Sequence, residues 1–395
     1  MSAPELTTIQ PLKKELPGAV RRLAWMFLGL GALVMMLAYG MDAQRSAYNN
    51  IILFLFLASI GGGSIFLVAI EYIGGAVWSV PIRRVTEFLG GITPVVPVVA
   101  VPLLLNLHDV FHWTHPEAVQ ADPVLAGKSP YLNVSFFVFR FLAIFALWSL
   151  FYLFFFRNST RQDLSRNQRL TTRNIRLAAI FLPVFAVTLT LTAVDWAMSL
   201  EPHWYSTIFG VYYFSGTVLA AVAATTYVVV KFQEKGFLPN LARDHLYSLG
   251  ALLFAFVNFW AYIAFSQFLL IWYANLPEET YWFMARWQGG WEYFSVLLIV
   301  VHFAVPYFAL LAQDAKMNPR RLKLMALWIL AAHMLDLYWL VMPNYSETFV
   351  FGWMEIGYPF LAAGMIMILL SYMLRRYNVV PVGDPKLQRG LEFRL

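Results

Sequence analysis

VSFFVFRFLAIFALWSLFYLFFF, residues 134–156, decides how this sequence is read. Its apolar character is interrupted only by Ser135, Arg140 and Ser149. At ~1.5 Å per helical residue the stretch is about 35 Å long, enough to cross a hydrocarbon layer of about 30 Å. A membrane-barrel strand would instead alternate apolar and polar over ~10 residues, and the unbroken run Phe151–Phe156 does not. Nine more runs of the same kind lie at 23–41, 51–77, 88–107, 177–199, 207–230, 247–272, 292–313, 324–342 and 354–374. The sequence predicts an all-α integral membrane protein with ten transmembrane helices.

Composition supports this. Of 395 residues, 60% are hydrophobic and only 13% charged, with a mean hydropathy of +0.63. Soluble domains carry roughly 25% charged residues, so a water-soluble enzyme is excluded, as is a disordered chain. There is no cysteine. Thiolate metal sites, iron–sulfur clusters held by this chain and covalent c-type haem are therefore excluded as well.

The net charge of +6 is explained by topology. Taking the N-terminus as cytoplasmic, the outer segments hold only Arg45, Lys128 and Arg286, and Arg140 lies within a span. The other 24 of the 28 basic residues fall on the inner side. This follows the rule that cytoplasmic loops collect Lys and Arg, and it predicts that both termini are cytoplasmic. It leaves no nucleic-acid footprint to explain. The longest outer connections, Leu107 to Leu132 and Ala274 to Trp291, carry aromatics, carboxylates and His suited to docking.

An internal repeat sets the organisation. Span 5 ends in Asp195, six residues, Pro202, then Trp204 and Ser206; span 9 ends in Asp336, six residues, Pro343, then Tyr345 and Ser346. A Pro past a helix end is an ordinary stop signal, but a stop signal does not explain the Asp. An offset of four spans keeps both elements in the same direction, which implies parallel repeats. The chain divides into a cytoplasmic segment (1–22), a flanking helix with its outer loop (23–49), and two four-helix bundles (50–206 and 207–345). A second flanking helix (346–376) and a cytoplasmic tail (377–395) follow.

Ionisable side chains at membrane depth are costly and mark function by default. They are Glu71, Arg140, Asp195, His302, His333 and Asp336. Counted from the nearest basic residue, Glu71 falls roughly 18 Å and His333 about 15 Å from the inner side. Asp336 falls roughly 20 Å in, Asp195 is near the outer side, and His302 is about 15 Å below its interface. Such a spread suits a proton relay, and His333 and Asp336, three apart, share a helix face. Ion pairing, for example of Arg140 with Asp195, is the competing explanation.

Other patterns have alternative readings. His302 and His333 on consecutive helices have the residue types for a b-type haem clamp. His108, His112 and His115 have metal-compatible spacing if helical; with Asp109 they also fit a quinone-facing or docking surface. Trp260, Tyr262, Trp272 and Tyr273 suit packing and interfacial anchoring. Gly61-Gly62-Gly63 suits close helix approach. Pro94, Pro97 and Pro102 in span 3 are the one cluster that a secondary transporter would use to break a helix, and span 7 has no counterpart.

Several strings together resemble a known family: SLEPHWYSTIFG (199–210), LIWYANLPEET (270–280) followed by RWQGGW (286–291), and EYIGGAVWSVPIRRVTE (71–87). They are similar to the ActF-type subunits of bacterial alternative complex III, within the wider family of NrfD and polysulfide-reductase membrane subunits. The likeness runs over nearly all ten spans. It implies two four-helix bundles in a bacterial cytoplasmic membrane, as part of a quinol oxidoreductase complex. The implied partners are a homologous NrfD-like subunit, an outer-face iron–sulfur subunit and multihaem c-type cytochromes. Such a subunit carries no redox cofactor and has no catalytic residues of its own; it conducts protons, with the quinol site assigned to its homologous twin and quinone binding by this chain left open. The resemblance marks Glu71 and Asp195 as relay members. A secondary transporter and a purely structural anchor are the alternatives.

Overall fold

The computed structural model describes residues 13–238 and 240–395; the start of the N-terminal segment, expected above to be cytoplasmic, lies outside them. It contains ten helices long and apolar enough to cross a membrane, and no strand among the described residues. They are α1 (Gly18–Met41), α2 (Ala43–Gly74), α3 (Val80–Leu105), α4 (Val134–Ser165) and α5 (Arg169–Leu200). The others are α6 (Phe209–Glu234), α7 (Arg243–Ala274), α8 (Trp291–Leu310), α9 (Pro319–Asn344) and α10 (Trp353–Arg376).

Local signals set the ends. Asp42 caps α2 by accepting from the Arg45 amide at 2.9 Å, and Asn133 caps α4 by accepting from the Phe136 amide at 2.9 Å. Asn318 accepts from the Arg320 and Arg321 amides to start α9. Gly75 stops α2 in the left-handed region, at φ 61°. The prolines of α3 leave it in pieces, Val80–Gly90, a 3₁₀ turn at Thr93–Val95, then Val96–Val99 and Val101–Leu105, because each proline lacks the N–H that the ladder needs. In α8, residues Ile299–Ala304 form a π-helical turn ahead of Pro306.

Burial identifies the centre. In α2 and α6, 89% of the apolar stretch is covered by protein, against 17% in α1. These two helices pack on each other. Each also packs on the last helix of its own bundle, α2 on α5 and α6 on α9, and on the last helix of the other, α6 on α5 and α2 on α9. Helices α2–α5 and α6–α9 are thus two four-helix bundles in a parallel repeat, and Asp195 and Asp336 occupy matching helices. The flanking helices α1 and α10 pair with each other. At the α2–α6 contact a Cβ on Gly63 would lie 2.7 Å from the Thr217 carbonyl oxygen, and at the α2–α3 contact one on Gly61 would lie 2.5 Å from the Thr93 hydroxyl. The triple glycine therefore serves close approach, as its composition predicts.

Two expectations are corrected. Span 3 begins at Val80 rather than residue 88, so Arg83 and Arg84 lie in the helix and are buried. Glu71 is not 18 Å deep: α2 ends three residues later and the chain doubles back, so Glu71 sits at the end of the bundle. The depth estimate assumed an unbroken helix to Arg83, which Gly75 interrupts.

Candidate functional site: a buried polar cluster between the bundles

Asp336, on α9, is 1% exposed and lies among donors from the neighbouring helices. The Tyr212 hydroxyl on α6 donates to its Oδ1. The Trp260 indole on α7 donates to its Oδ2 at 3.1 Å. His333, one turn earlier on α9, holds Nδ1 4.0 Å from Oδ2 of Asp336, and its Nε2 lies 3.1 Å from the Ser59 hydroxyl on α2. Ser59 donates to the Tyr213 hydroxyl at 3.2 Å and accepts from Thr217 at 3.3 Å. The Tyr213 hydroxyl in turn donates to the Leu55 carbonyl at 2.8 Å. The chain of contacts therefore passes from the second bundle into the first.

His302 completes the cluster from α8. Its ring stacks on Trp260 with centroids 3.8 Å apart, and neither ring nitrogen has a hydrogen-bond partner. It sits inside the π-helical turn, a local irregularity that often accompanies functional positions. Gly216 makes the room: a Cβ there would lie 2.8 Å from Cε1 of His333.

Among the described residues, His302, His333 and Asp336 form one group with ligand atoms within 4.8 Å of one another. A tetrahedral zinc site brings neighbouring ligand atoms to about 3.3 Å, so the group would have to contract to hold such an ion.

A cavity of about 610 Å³ adjoins this cluster between α6, α7, α8 and α9. Phe265, Phe268, Phe283 and Trp339 make much of its wall, and Tyr262 and Phe265 are exposed on the outside of α7. Tyr212 and Trp260, the two donors to Asp336, also line it. So does Gln267, which is buried and has an unpartnered Oε1. The cavity is apolar with a few converging polar groups, the usual character of a small-molecule site.

The remaining predicted residues lie elsewhere. Arg140 and Asp195 form a bidentate pair, both contacts 2.9 Å, at the end of the first bundle opposite Glu71, and Arg140 also donates to the Tyr131 carbonyl. Asp195 and Glu71 are not joined by contacts among the described residues. Glu71 accepts from Arg83 at 2.9 Å. His108, Asp109 and His112 are exposed on the connection between α3 and α4. They do not share a helical face, because Leu107–Asp109 and His112–Thr114 are separate 3₁₀ turns. His108 Nδ1 instead meets the Thr114 hydroxyl at 3.0 Å.

Nearby, His203 Nε2 lies 2.5 Å from Asp122 Oδ2. Desolvation pushes the Asp122 carboxyl up, but its contact with His203 and the amides of Val124 and Leu125 outweigh this and hold it below the ordinary range. Arg286, read from the sequence as a loop cation, is 1% exposed. It donates to the carbonyls of Trp282, Trp339 and Leu340 and lies 3.3 Å over the Trp282 ring. It thus satisfies carbonyls at the C-terminal end of α9, where a cation is favoured.

Tyr212, Tyr213, Ser59 and Thr217 were not singled out by the sequence. Trp260 was read as packing. The available signal was weak: hydroxyls spaced four apart on α6, at Tyr213 and Thr217, on a helix that is otherwise apolar and small. No protein-family model matches the chain, and a search of curated proteins finds no match.

Proposed function

We propose that this chain is the membrane subunit of a quinol-oxidising electron-transfer complex of the alternative complex III type, moving protons through the cluster between its two bundles. The observation that carries this reading is that Tyr212 and Trp260 line a cavity, whose lining also includes the exposed, apolar Tyr262 and Phe265, and donate to Asp336. A lipid-soluble hydroquinone seated there would lie beside a proton acceptor. The seat is then in the second bundle rather than at His108, Asp109 and His112.

Oxidation of a hydroquinone releases two protons and two electrons. The electrons leave to haem or iron–sulfur groups of partner subunits. A proton from a ring hydroxyl passes to the Tyr212 oxygen as Tyr212 passes its own to Asp336. His333 then relays it, because an imidazole can accept at Nδ1 and release at Nε2, here towards Ser59. Excess Lys and Arg at one end of the bundle support a cytoplasmic location for both termini in a bacterial inner membrane.

The test is purification from native membranes in mild detergent, with a short-chain naphthoquinol as substrate. Co-purifying haem and iron–sulfur subunits, and a more than tenfold loss of quinol oxidation in both Asp336→Asn and Tyr212→Phe, are expected. A chain that purifies alone and moves a solute in liposomes would overturn the reading in favour of a transporter.

A further inference from the structure

A second buried polar assembly lies at the basic end of the first bundle, far from Asp336. Arg83, on α3, reaches Glu71 on α2 at 2.9 Å, Glu87 at 3.5 Å and Asp384 of the C-terminal segment at 2.5 Å. Arg84 reaches Glu87 at 3.2 Å and Asp163 on α4 at 2.9 Å. All six side chains are at most 9% exposed. Four carboxyls therefore share two guanidiniums in a medium where unbalanced charge is costly.

The surrounding groups do not restore the balance. Tyr72 on α2 and Tyr152 on α4 supply hydroxyls without hydrogen-bond partners. Ser159 donates to Glu87 Oε2 at 3.1 Å, and Asn378 lies 3.4 Å from Asp163. Lys386, at the rim, directs its ammonium to the Gly75 carbonyl at 2.9 Å. Counting it as a third cation still leaves one carboxyl over. Glu87 Oε1 and Arg84 Nη1 have no hydrogen-bond partner, so the pairing is incomplete as well as unbalanced.

We infer that Glu71, Glu87, Asp163 and Asp384 hold one shared, exchangeable proton and form a proton-exchange site that the C-terminal segment closes. Charge balance and the geometry of the network carry this, independently of what occupies the cavity beside Asp336. When groups interact this closely, the titration belongs to the set rather than to one residue. The proton is taken from water at the basic end. Asp384 is the member supplied by the segment lying over that end. Inward, Glu71 lines a cavity of about 300 Å³ that reaches Thr225 on α6, so the site has a route towards the bundle contact.

A shared proton makes an unusual prediction. Replacing any one carboxyl by its amide removes the same excess charge, so each substitution releases the same proton. Infrared difference spectra of the full-length protein in nanodiscs at neutral pH, wild type minus variant, read this directly. Glu71→Gln, Glu87→Gln, Asp163→Asn and Asp384→Asn should each remove one protonated-carboxyl band, and Asp336→Asn should leave that band in place. Lys386→Met removes the third cation as well as the contact that pins the segment to Gly75, so it should add a second protonated-carboxyl band and make exchange into D₂O severalfold faster. Absence of the band in wild type would overturn the proposal and leave a fully ionised structural network. Loss of the band in one variant only, with the other folded variants retaining it, would overturn the sharing.

Discussion

The Trp260 indole donates to the Asp336 carboxylate at 3.1 Å while its ring stacks on His302, so one side chain ties α7, α8 and α9 together. Its two roles separate by substitution. Trp260→Phe keeps an aromatic ring beside His302 but removes the donor, leaving Tyr212 as the remaining hydrogen-bond donor to Asp336. A hydrogen bond to a charged group contributes roughly 1.5–3 kcal/mol. Thermal unfolding of the variant should show a loss of that order or less, because a carboxyl that becomes protonated needs the donor less. Under the proposed function, quinol-driven proton release should fall about tenfold. Unchanged release with lowered stability would assign Trp260 to packing alone.

Arg140 and Asp195 give a second, separable outcome. Both are buried, at 6% and 2% exposure, and their contact is bidentate. Removing one partner of such a pair leaves an uncompensated buried charge and costs about 3–5 kcal/mol. Arg140→Gln and Asp195→Asn should each destabilise the first bundle by that amount. The double variant should cost clearly less than the sum of the two. Unfolding in a denaturing detergent, followed by tryptophan fluorescence, measures the cycle. Additive losses would show that the pairing contributes little to stability.

The ten spans and the repeat were legible because hydrophobic length and the Asp-x6-Pro spacing are local properties of the chain. Asp336 and His333 were legible for a related reason: an ionisable residue in an apolar run stands out wherever its partners lie. Their partners were not. Tyr212 and Trp260 come from other helices, and an aromatic in an apolar span is indistinguishable from packing until its neighbour is known. The charged end of the first bundle was hidden differently. Arg83, Arg84 and Glu87 resemble loop residues in any hydropathy window, and only Gly75, which turns the chain back at φ 61°, lets Arg83 reach Glu71. Asp384 comes from a tail that composition alone marks as solvent-exposed. What the sequence misses in these two places is therefore pairing that depends on packing between helices, whereas Arg140 and Asp195, single charges in apolar spans, were legible as a pair.

Gly216 tests whether that packing sets the chemistry. It lies on α6, where a Cβ would fall 2.8 Å from Cε1 and 2.9 Å from Nδ1 of His333, and 3.8 Å from Oδ2 of Asp336. The first two separations are too short for a methyl group, so Gly216→Ala must displace the imidazole. Overpacking of this kind costs typically 1–3 kcal/mol, partly offset because Ala is a better helix former than Gly by about 1 kcal/mol. Net stability should therefore fall only modestly. The displacement acts on the 3.1 Å contact between His333 and Ser59, through which the proposed relay leaves α9. Under the proposed function, proton release should drop by at least tenfold with quinol affinity unchanged, because Gly216 does not line the cavity. Measuring quinol affinity and proton release on the same preparation decides the point. A variant with weaker quinol binding and an unchanged rate of proton transfer at saturation would show that His333 is not on the path.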